Sequence, residues 1–395
     1  MHIPYDVPKI HMYTRIRKSP YFYASRRHGV QSYSVCNRMY HPRHYDDPIA
    51  EYWRLINDVT LWDVGVERQV EITGPDAFEF TNLLTPRDLT TCAVGQCKFV
   101  LNTDTDGGII NNPVLLRLAE NQFWLSVADG DVLLWAKGIA AASGMDVRIS
   151  EPDVAPVQIQ GPNSKALLTD LIGEDILDLR YYWMREYQID GMDVVISRTG
   201  YSGEVGYEIY LRSASRDGTR LWDTILQAGE PHRVAVIGPC QIRRVEAGIL
   251  SYGSDIALDN NGYSDYEFLN PYEAGLEWTV DLDQDADFIG KDALRRIADR
   301  GVGRKVVGIE LTGDPVIGYI EDYLLVVDGD AGDQIGQVSS VFWSPRLEKN
   351  IGYALVPVSH ADVGTKLTVR SAKGETSAFV VPKPFIDPGK ETPKG

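Results

Sequence analysis

ERQVEITGPD, residues 67–76, alternates apolar and polar side chains, breaks at a Gly-Pro pair and ends on a residue type that starts helices. It reads as strand, tight turn and helix, the helix continuing through Phe78, Leu83 and Leu84. The same text returns as VQIQGPN at 157–163, followed by the helical pattern Ala166, Leu167, Leu168 and Leu171. Two copies of one turn chemistry make an internal repeat, and two are too few to stack as a solenoid. The expectation is a pseudo-twofold pair of α+β units, repeated near 66–85 and 153–172, in which Asp76 and Asn163 cap the helices.

Between the copies, CKFVLNT, a TDTDGG turn, IINNPVLLRL and FWLSVA predict an antiparallel meander, and VLLWAKGIAAASG a helix ending at Gly144. After the second copy, Asp190-Gly191 signals a hairpin. TRLWDTILQAG is an amphipathic helix, CQIRRVEAGILSYG a helix stopping at Gly248 or Gly253, and a third helix begins after Gly290. Beyond Val302, segments such as KVVGIELTG, GQVSSVFW and IGYALVP follow at hairpin spacing and predict a small barrel or sandwich. Three regions follow: an ordered N-terminal arm at 1–50, an α+β body at 51–301, and a β-rich domain at 302–395 whose last residues, IDPGKETPKG, read as a disordered tail.

Composition removes several function classes. The 395 residues carry a net charge of −17, which repels phosphate backbones and anionic lipid, so neither nucleic acid nor a membrane is expected as partner. Four scattered cysteines without a Cys-x-x-Cys pair, and an N-terminus without an apolar run, predict a reducing cytoplasm. No metal site is expected: His41 and His44 flank a proline and lack a third ligand. Cys92 and Cys97 read as buried strand residues, and the glycines of GDAGDQIG at 329–336 as a hairpin turn. Gly-x-Ser-x-Gly is absent, so no nucleophile elbow has a candidate.

One stretch carries the chemistry. In RTGYSGEVGYEIY, 198–210, Gly200, Gly203 and Gly206 let a strand break, let backbone approach a flat partner and let pairing resume. Glu204 stands at the tip of the break, flanked by Tyr201 and Tyr207. A carboxylate offers two parallel acceptors, the complement of a guanidinium such as Arg198 or of the N3–H/2-amino edge of a pterin or guanine.

This stretch resembles the signature of the glycine-cleavage T-protein (aminomethyltransferase) family. Further segments match in order from about residue 50 to 385, among them VEITGPDAFEFTNLLT, VQIQGPNS, RRVEAGILSYGSDI, NPYEAGLEWTV and VFWSPRLEKNIGYALVP. Within the family, LWDVGVERQVEITGPDA, LLTPRDL, GQCKFV and WLSVADGD are more similar to the dimethylsulfoniopropionate demethylase branch. The resemblance implies an α+β folate-binding body of two related units plus a C-terminal antiparallel β-barrel around a central cavity, with tetrahydrofolate as cofactor. It implies that Glu204 holds the pterin edge, with Tyr207, Gln160, Arg244 and Trp343 on the folate side.

The departures bear on the reaction. Aminomethyltransferases carry Asp-Asp after the Gly-Gly turn and the demethylase branch Asn-Asp, where this chain has Asn111-Asn112; Phe99 replaces a tyrosine, and 260–273 is longer than its counterpart. An amide orients a substrate but neither gives nor takes a proton. That suits an onium donor, whose thioether leaves without protonation. The aromatics Tyr181, Tyr182, Trp183 and Tyr187 offer faces for such a cation, although core or interface packing is the stronger account of any single one. The expected function is a tetrahydrofolate-dependent methyltransferase that demethylates a small methylated compound, a dimethylsulfoniopropionate-like onium first, with Asn112 and Tyr201 in catalytic roles. The alternatives are an O-demethylase of a methoxy compound or an aminomethyltransferase and, in another class, a noncatalytic folate-binding protein. The sequence leaves open the donor and a homodimer.

Overall fold

In the computed structural model, which describes residues 13–258, 267–320, 323–328, 332–372 and 374–395, each copy of the repeat is a strand, a glycine turn and a helix. The first is Arg68–Thr73 with Ala77–Leu83, the second Val154–Gln160 with Ser164–Ile172. Both turns demand glycine. Gly74 has φ +129° and Gly161 φ +118°, and a Cβ would stand 2.4 Å from the Asp146 carbonyl oxygen or 2.6 Å from that of Asp58. The expected side-chain caps do not form: neither the Asp76 carboxylate nor the Asn163 amide bonds to its own helix. The adjoining segment takes those side chains instead. Asp76 accepts from the Asp146 amide at 2.7 Å, and Asn163 donates to the His232 carbonyl at 3.4 Å.

The first copy lies in a five-stranded antiparallel sheet ordered Arg148–Ser150, Arg68–Thr73, Gln122–Val127, Val114–Ala119, Cys97–Phe99. The second lies in a six-stranded sheet ordered Met184–Ile189, Met192–Ser197, Gly206–Arg212, Val154–Gln160, Val59–Asp63, Val234–Val236. Asp190 and Gly191, both at positive φ, close the hairpin that their sequence announces. Helix Ala214–Gly229 buries Leu221, Trp222 and Ile225 against Val157, Ile159, Ile209 and Leu211 of the second sheet. The sheets join at their edges, where Met184 donates its amide to the Gly95 carbonyl at 2.9 Å and Cys97 to that of Tyr182 at 2.8 Å. Cys92 is buried in a turn and not in a strand, and burial raises the pKa of both thiols.

The C-terminal strands close into a barrel, ordered Arg304–Leu311, Lys349–Pro357, Gln334–Ser344, Leu324–Val327, Lys366–Ser371, Gly374–Val381, around Val307, Ile309, Val338, Val341 and Val369. Leu324–Val327 and Gln334–Ser344 pair antiparallel across the glycine-rich 329–336 stretch, of which 329–331 lie outside the described residues. The longer segment at 260–273 likewise falls outside them at 260–266.

The arm is anchored by a buried acid. Ser19 and Ser25 donate to the Asp63 carboxylate at 2.9 Å, and Tyr21, fully buried, donates to the Ala155 carbonyl at 2.7 Å. Within the arm hairpin, His41 Nδ1 lies 3.4 Å from Cys36 Sγ and His44 Nδ1 2.8 Å from Ser32 Oγ. Helix Pro48–Asn57, capped by Asp47, runs across the boundary that composition suggests at residue 50.

The tail, expected to be disordered, is ordered. Asp387 accepts the amides of Glu391 and Thr392 at 2.9 and 2.8 Å and so starts a short helix, Glu391–Lys394. The buried Arg198 side chain then donates to the carbonyls of Pro393 at 3.3 Å and Gly395 at 3.4 Å. A buried guanidinium needs acceptors, and tail carbonyls supply them.

Among the elements where body and barrel meet is a short helix, Gln241–Glu246, stopped by Gly248 at φ +75° with the Ile249 amide reaching back to the Arg244 carbonyl. Arg244 donates to Asp255 at 2.5 Å and to Ser340 of the barrel at 2.8 Å, while Ser339 and Ser340 both donate to Asp255. Glu246 accepts from Tyr52 at 2.9 Å, from barrel Ser344 at 2.6 Å and from Arg346 at 2.7 Å.

Removing one partner of such a buried pair strands the other charge, so Arg244→Met should lower stability by about 3–5 kcal/mol in urea titrations. The buried acids add a pH dependence. Burial outweighs the donors around Asp63 and raises its pKa to about 6; it outweighs the three backbone amides on Glu51 and raises that pKa to about 7. Raised pKa values mean that the fold holds these protons more tightly than the unfolded chain does. Their contribution is complete below about pH 4 and is lost as pH rises through about 7. Melting temperature should therefore fall less steeply between pH 5 and 7.5 in an Asp63→Asn/Glu51→Gln variant than in the parent protein.

Candidate functional site

Between strands Met192–Ser197 and Gly206–Arg212 the chain leaves the sheet over 198–205, as the glycine spacing predicts, and pairing then resumes. Gln160 sits beneath this excursion, fully buried. Its Nε2 donates to the carbonyls of Thr199 at 3.3 Å and Tyr207 at 3.4 Å, and its Oε1 accepts from Ser202 at 2.5 Å. A Cβ on Gly200 or Gly206 would lie 2.3 Å from the Gln160 amide. The two glycines make room for the brace that holds the loop.

Held this way, the loop presents Glu204 to the helix Gln241–Glu246. Arg243 donates from Nε to Glu204 Oε1 at 2.7 Å and from Nη2 to the Gly203 carbonyl at 2.9 Å. Arg198, the guanidinium considered for Glu204 from sequence, is engaged with the tail. Two polar positions beside the pair stay open among the described residues. Glu204 Oε2 receives no hydrogen bond, and Arg243 Nη1, on a side chain only 1% exposed, is buried without a partner.

These groups border a small recess of about 30 Å³, partly open to solvent. Gly200, Gly203, Glu204 and Arg243 line one side; Tyr181 and the tail residues Asp387, Lys390 and Pro393 line the other. Burial pushes the Tyr181 phenol up to about 12, so it stays neutral, and lowers the pKa of Lys390.

Of the residues singled out from sequence, the structure brings Glu204 and Tyr181 together at this recess. Gln160 lies below it as the brace, and Arg244 is closed into the ion pair with Asp255, 1% exposed. Tyr207 alternates with the recess-lining Gly206 and is fully buried in the core of the second sheet. Trp343 alternates with Phe342 and Ser344, whose side chains face the body, and so points away from it. Tyr182 is held at φ 61° edge-on to Tyr181, with ring centroids 4.8 Å apart, and Trp183 lies under Arg180 at 4.0 Å. Tyr201 packs against the cluster that contains Phe342 and Tyr353, its hydroxyl buried and unpartnered. Asn112 is half-buried, bonded through its backbone amide to Asn111 Oδ1 at 3.0 Å, outside the recess. Phe99 stacks on Trp278 at 5.8 Å.

Sequence reading missed Arg243 and the tail. The Arg-Arg doublet at 243–244 was the available signal for the first. Nothing in IDPGKETPKG announces a wall.

The brace predicts its own test. Gly206→Ala should cost about 1–3 kcal/mol in denaturant titrations by overpacking against Gln160, and Gln160→Ala in the same chain should recover part of that loss.

Residues 22–284 match the family model of the GCVT N-terminal domain, and 304–387 that of the glycine cleavage T-protein C-terminal barrel domain. The dimethylsulfoniopropionate demethylase DmdA of Ruegeria pomeroyi is 37% identical over 91% of this chain and 94% of its own length. An aminomethyltransferase of Symbiobacterium thermophilum is 32% identical over 87% of this chain and 90% of its own. The crystal structure of glycine cleavage system aminomethyltransferase T from Bartonella henselae superposes with a TM-score of 0.81, covering 94% of this chain and 98% of that one at 24% identity, and so shares the fold. With both of its domain models matched in order along one chain, this protein belongs to the glycine-cleavage T-protein (aminomethyltransferase) family.

Proposed function

We propose that the chain binds tetrahydrofolate at the Glu204 recess and transfers a one-carbon unit, as a methyl group taken from a small onium donor. The observation that carries the folate assignment is the acceptor left open on Glu204 Oε2 at a recess shared with the neutral Tyr181 phenol. A carboxylate so placed fits adjacent N–H donors on a flat ring. When bound, the folate supplies the N5 nitrogen that receives the one-carbon unit. The residues around it need only orient that ring, keep water from the reacting methyl, let the donor depart with the electron pair of the broken bond to its methyl, and let the proton displaced from N5 pass to solvent.

Methyl transfer from an onium is supported by the Asn111-Asn112 pair. Asn111 is consumed structurally, donating from Nδ2 to the Asp129 carbonyl at 2.7 Å, while the Asn112 side chain bonds to no described residue. Asn112 can orient a donor and cannot act as acid or base, which a departing thioether does not require. The 37% identity to a protein named as a dimethylsulfoniopropionate demethylase favours the same reading. Aminomethyl transfer is the second reading. It is supported by the relatives named aminomethyltransferase at 29–32% identity, and would draw on the unpartnered Tyr201 hydroxyl for a proton that Asn112 lacks.

Mass spectrometry of 5-methyltetrahydrofolate and 5,10-methylenetetrahydrofolate, after anaerobic incubation with tetrahydrofolate and onium, methoxy or aminomethyl donors, separates the readings. The expected product is 5-methyltetrahydrofolate from an onium; methylene product would support the second reading, and folate binding without any product a noncatalytic role. Glu204→Gln should weaken tetrahydrofolate binding by about 1–3 kcal/mol in fluorescence titrations, because an amide sets a donor against the ligand's donors. Unchanged affinity would remove Glu204 from the site.

A further inference from the structure

A hollow roomier than the Glu204 recess, about 270 Å³ and open to solvent, lies where the body joins the barrel. The body lends it Tyr272, Glu277 and, from the helix Lys291–Arg300, Ile297; the linker lends Val302, and the barrel side Lys305 and Val358. The helix ends at Gly301, φ +79°, and a Cβ on Gly301 or Gly303 would meet nothing within 4 Å, so the linker leaves this space unfilled.

Opposite charges border the hollow from its two sides without meeting. Glu277 comes from the body and Lys305 from the barrel, both exposed, and among the described residues neither side chain makes a hydrogen bond or an ion pair. Their neighbours do: Arg304 Nε pairs with Glu273 Oε1 at 2.9 Å. The Tyr272 hydroxyl also bonds to no described residue; burial, with Glu277 and Asp299 nearby, raises its pKa and keeps it a neutral donor. Ile297, Val302 and Val358, the last 42% exposed, add apolar surface. The volume falls just short of the about 300–1,000 Å³ that holds drug-sized ligands, so a smaller molecule fits. An ammonium complements Glu277, a carboxylate complements Lys305 and the Tyr272 hydroxyl, and a short hydrocarbon covers the apolar side chains. An inorganic anion would use Lys305 alone, and a hydrocarbon neither charge. We propose that this hollow binds a free apolar α-amino acid of about the size of leucine, which bridges body and barrel across the linker.

Calorimetric titration of the full chain with three compounds tests this without reference to folate or turnover. They are L-leucine, L-leucinamide, which lacks the carboxylate, and N-acetyl-L-leucine, which lacks the ammonium. Leucine is expected to bind saturably at millimolar concentration or below, and each analogue about fivefold more weakly or worse, the scale of one partly exposed charge pair. Lys305→Met should weaken leucine by about the same factor and leave leucinamide unchanged, because leucinamide has nothing to give the lysine. Glu277→Gln should weaken leucine likewise and leave N-acetyl-L-leucine unchanged. Both side chains are exposed and unpaired among the described residues, so neither variant removes a bond that holds the fold. The crossed pattern is what a structural effect would not produce, since that would weaken leucine and its analogues alike. No saturable heat from leucine, equal binding of all three compounds by the parent protein, or leucine affinity unchanged in either variant overturns the proposal.

Discussion

Three charges stand on six consecutive residues between body and barrel, and none of Arg243, Arg244 and Glu246 has a side chain more than 1% exposed. Charges so deeply buried are tolerable only when each is paired and hydrogen-bonded. Here the partners come from separate parts of the chain: Asp255 just after the helix, Ser340, Ser344 and Arg346 of the barrel, Tyr52 of the first long helix, and Glu204 of the glycine-rich loop. Arg243, Arg244 and Arg346 are matched by Glu204, Glu246 and Asp255 in this network. The pairing constrains geometry as well as charge, since it is complete only with the barrel seated and the loop in place.

The recess is a consequence of that constraint. Its loop is shaped from below by Gln160, which occupies the volume that glycines at 200 and 206 leave empty, and from the side by Arg243. The tail closes the opposite wall because Arg198, which leads into the same loop, draws carbonyls of 393 and 395 onto itself. Residues 198–204 thus position both the acid on one wall of the recess and the segment that forms the other.

Sequence periodicity and turn chemistry carried far toward the fold. The repeated Gly-Pro turns, the Asp190-Gly191 hairpin and the β-rich third domain all appear where local signals place them, because each depends on residues adjacent in the chain. The failures share a cause too. Asp76 and Asn163 have the chemistry of caps, but a distant segment passes within reach and takes their bonds. The tail looks disordered by composition and is ordered by an arginine almost two hundred positions away. Choosing between Arg243 and Arg244 was beyond any local rule, since the two are neighbours whose side chains leave the helix on different faces.

From sequence alone came the repeat, the strand break around Glu204 and the family likeness, all written in short-range patterns of glycine, proline and alternating apolar residues. Tertiary structure alone decided which arginine meets Glu204, that Gln160 braces where it was expected to bind, that Trp343 faces away, and that the tail walls the recess. The physical reason is that a side chain's role at a site depends on which buried donors and acceptors remain unpaired once the chain has packed, and that balance is struck only between segments far apart in sequence.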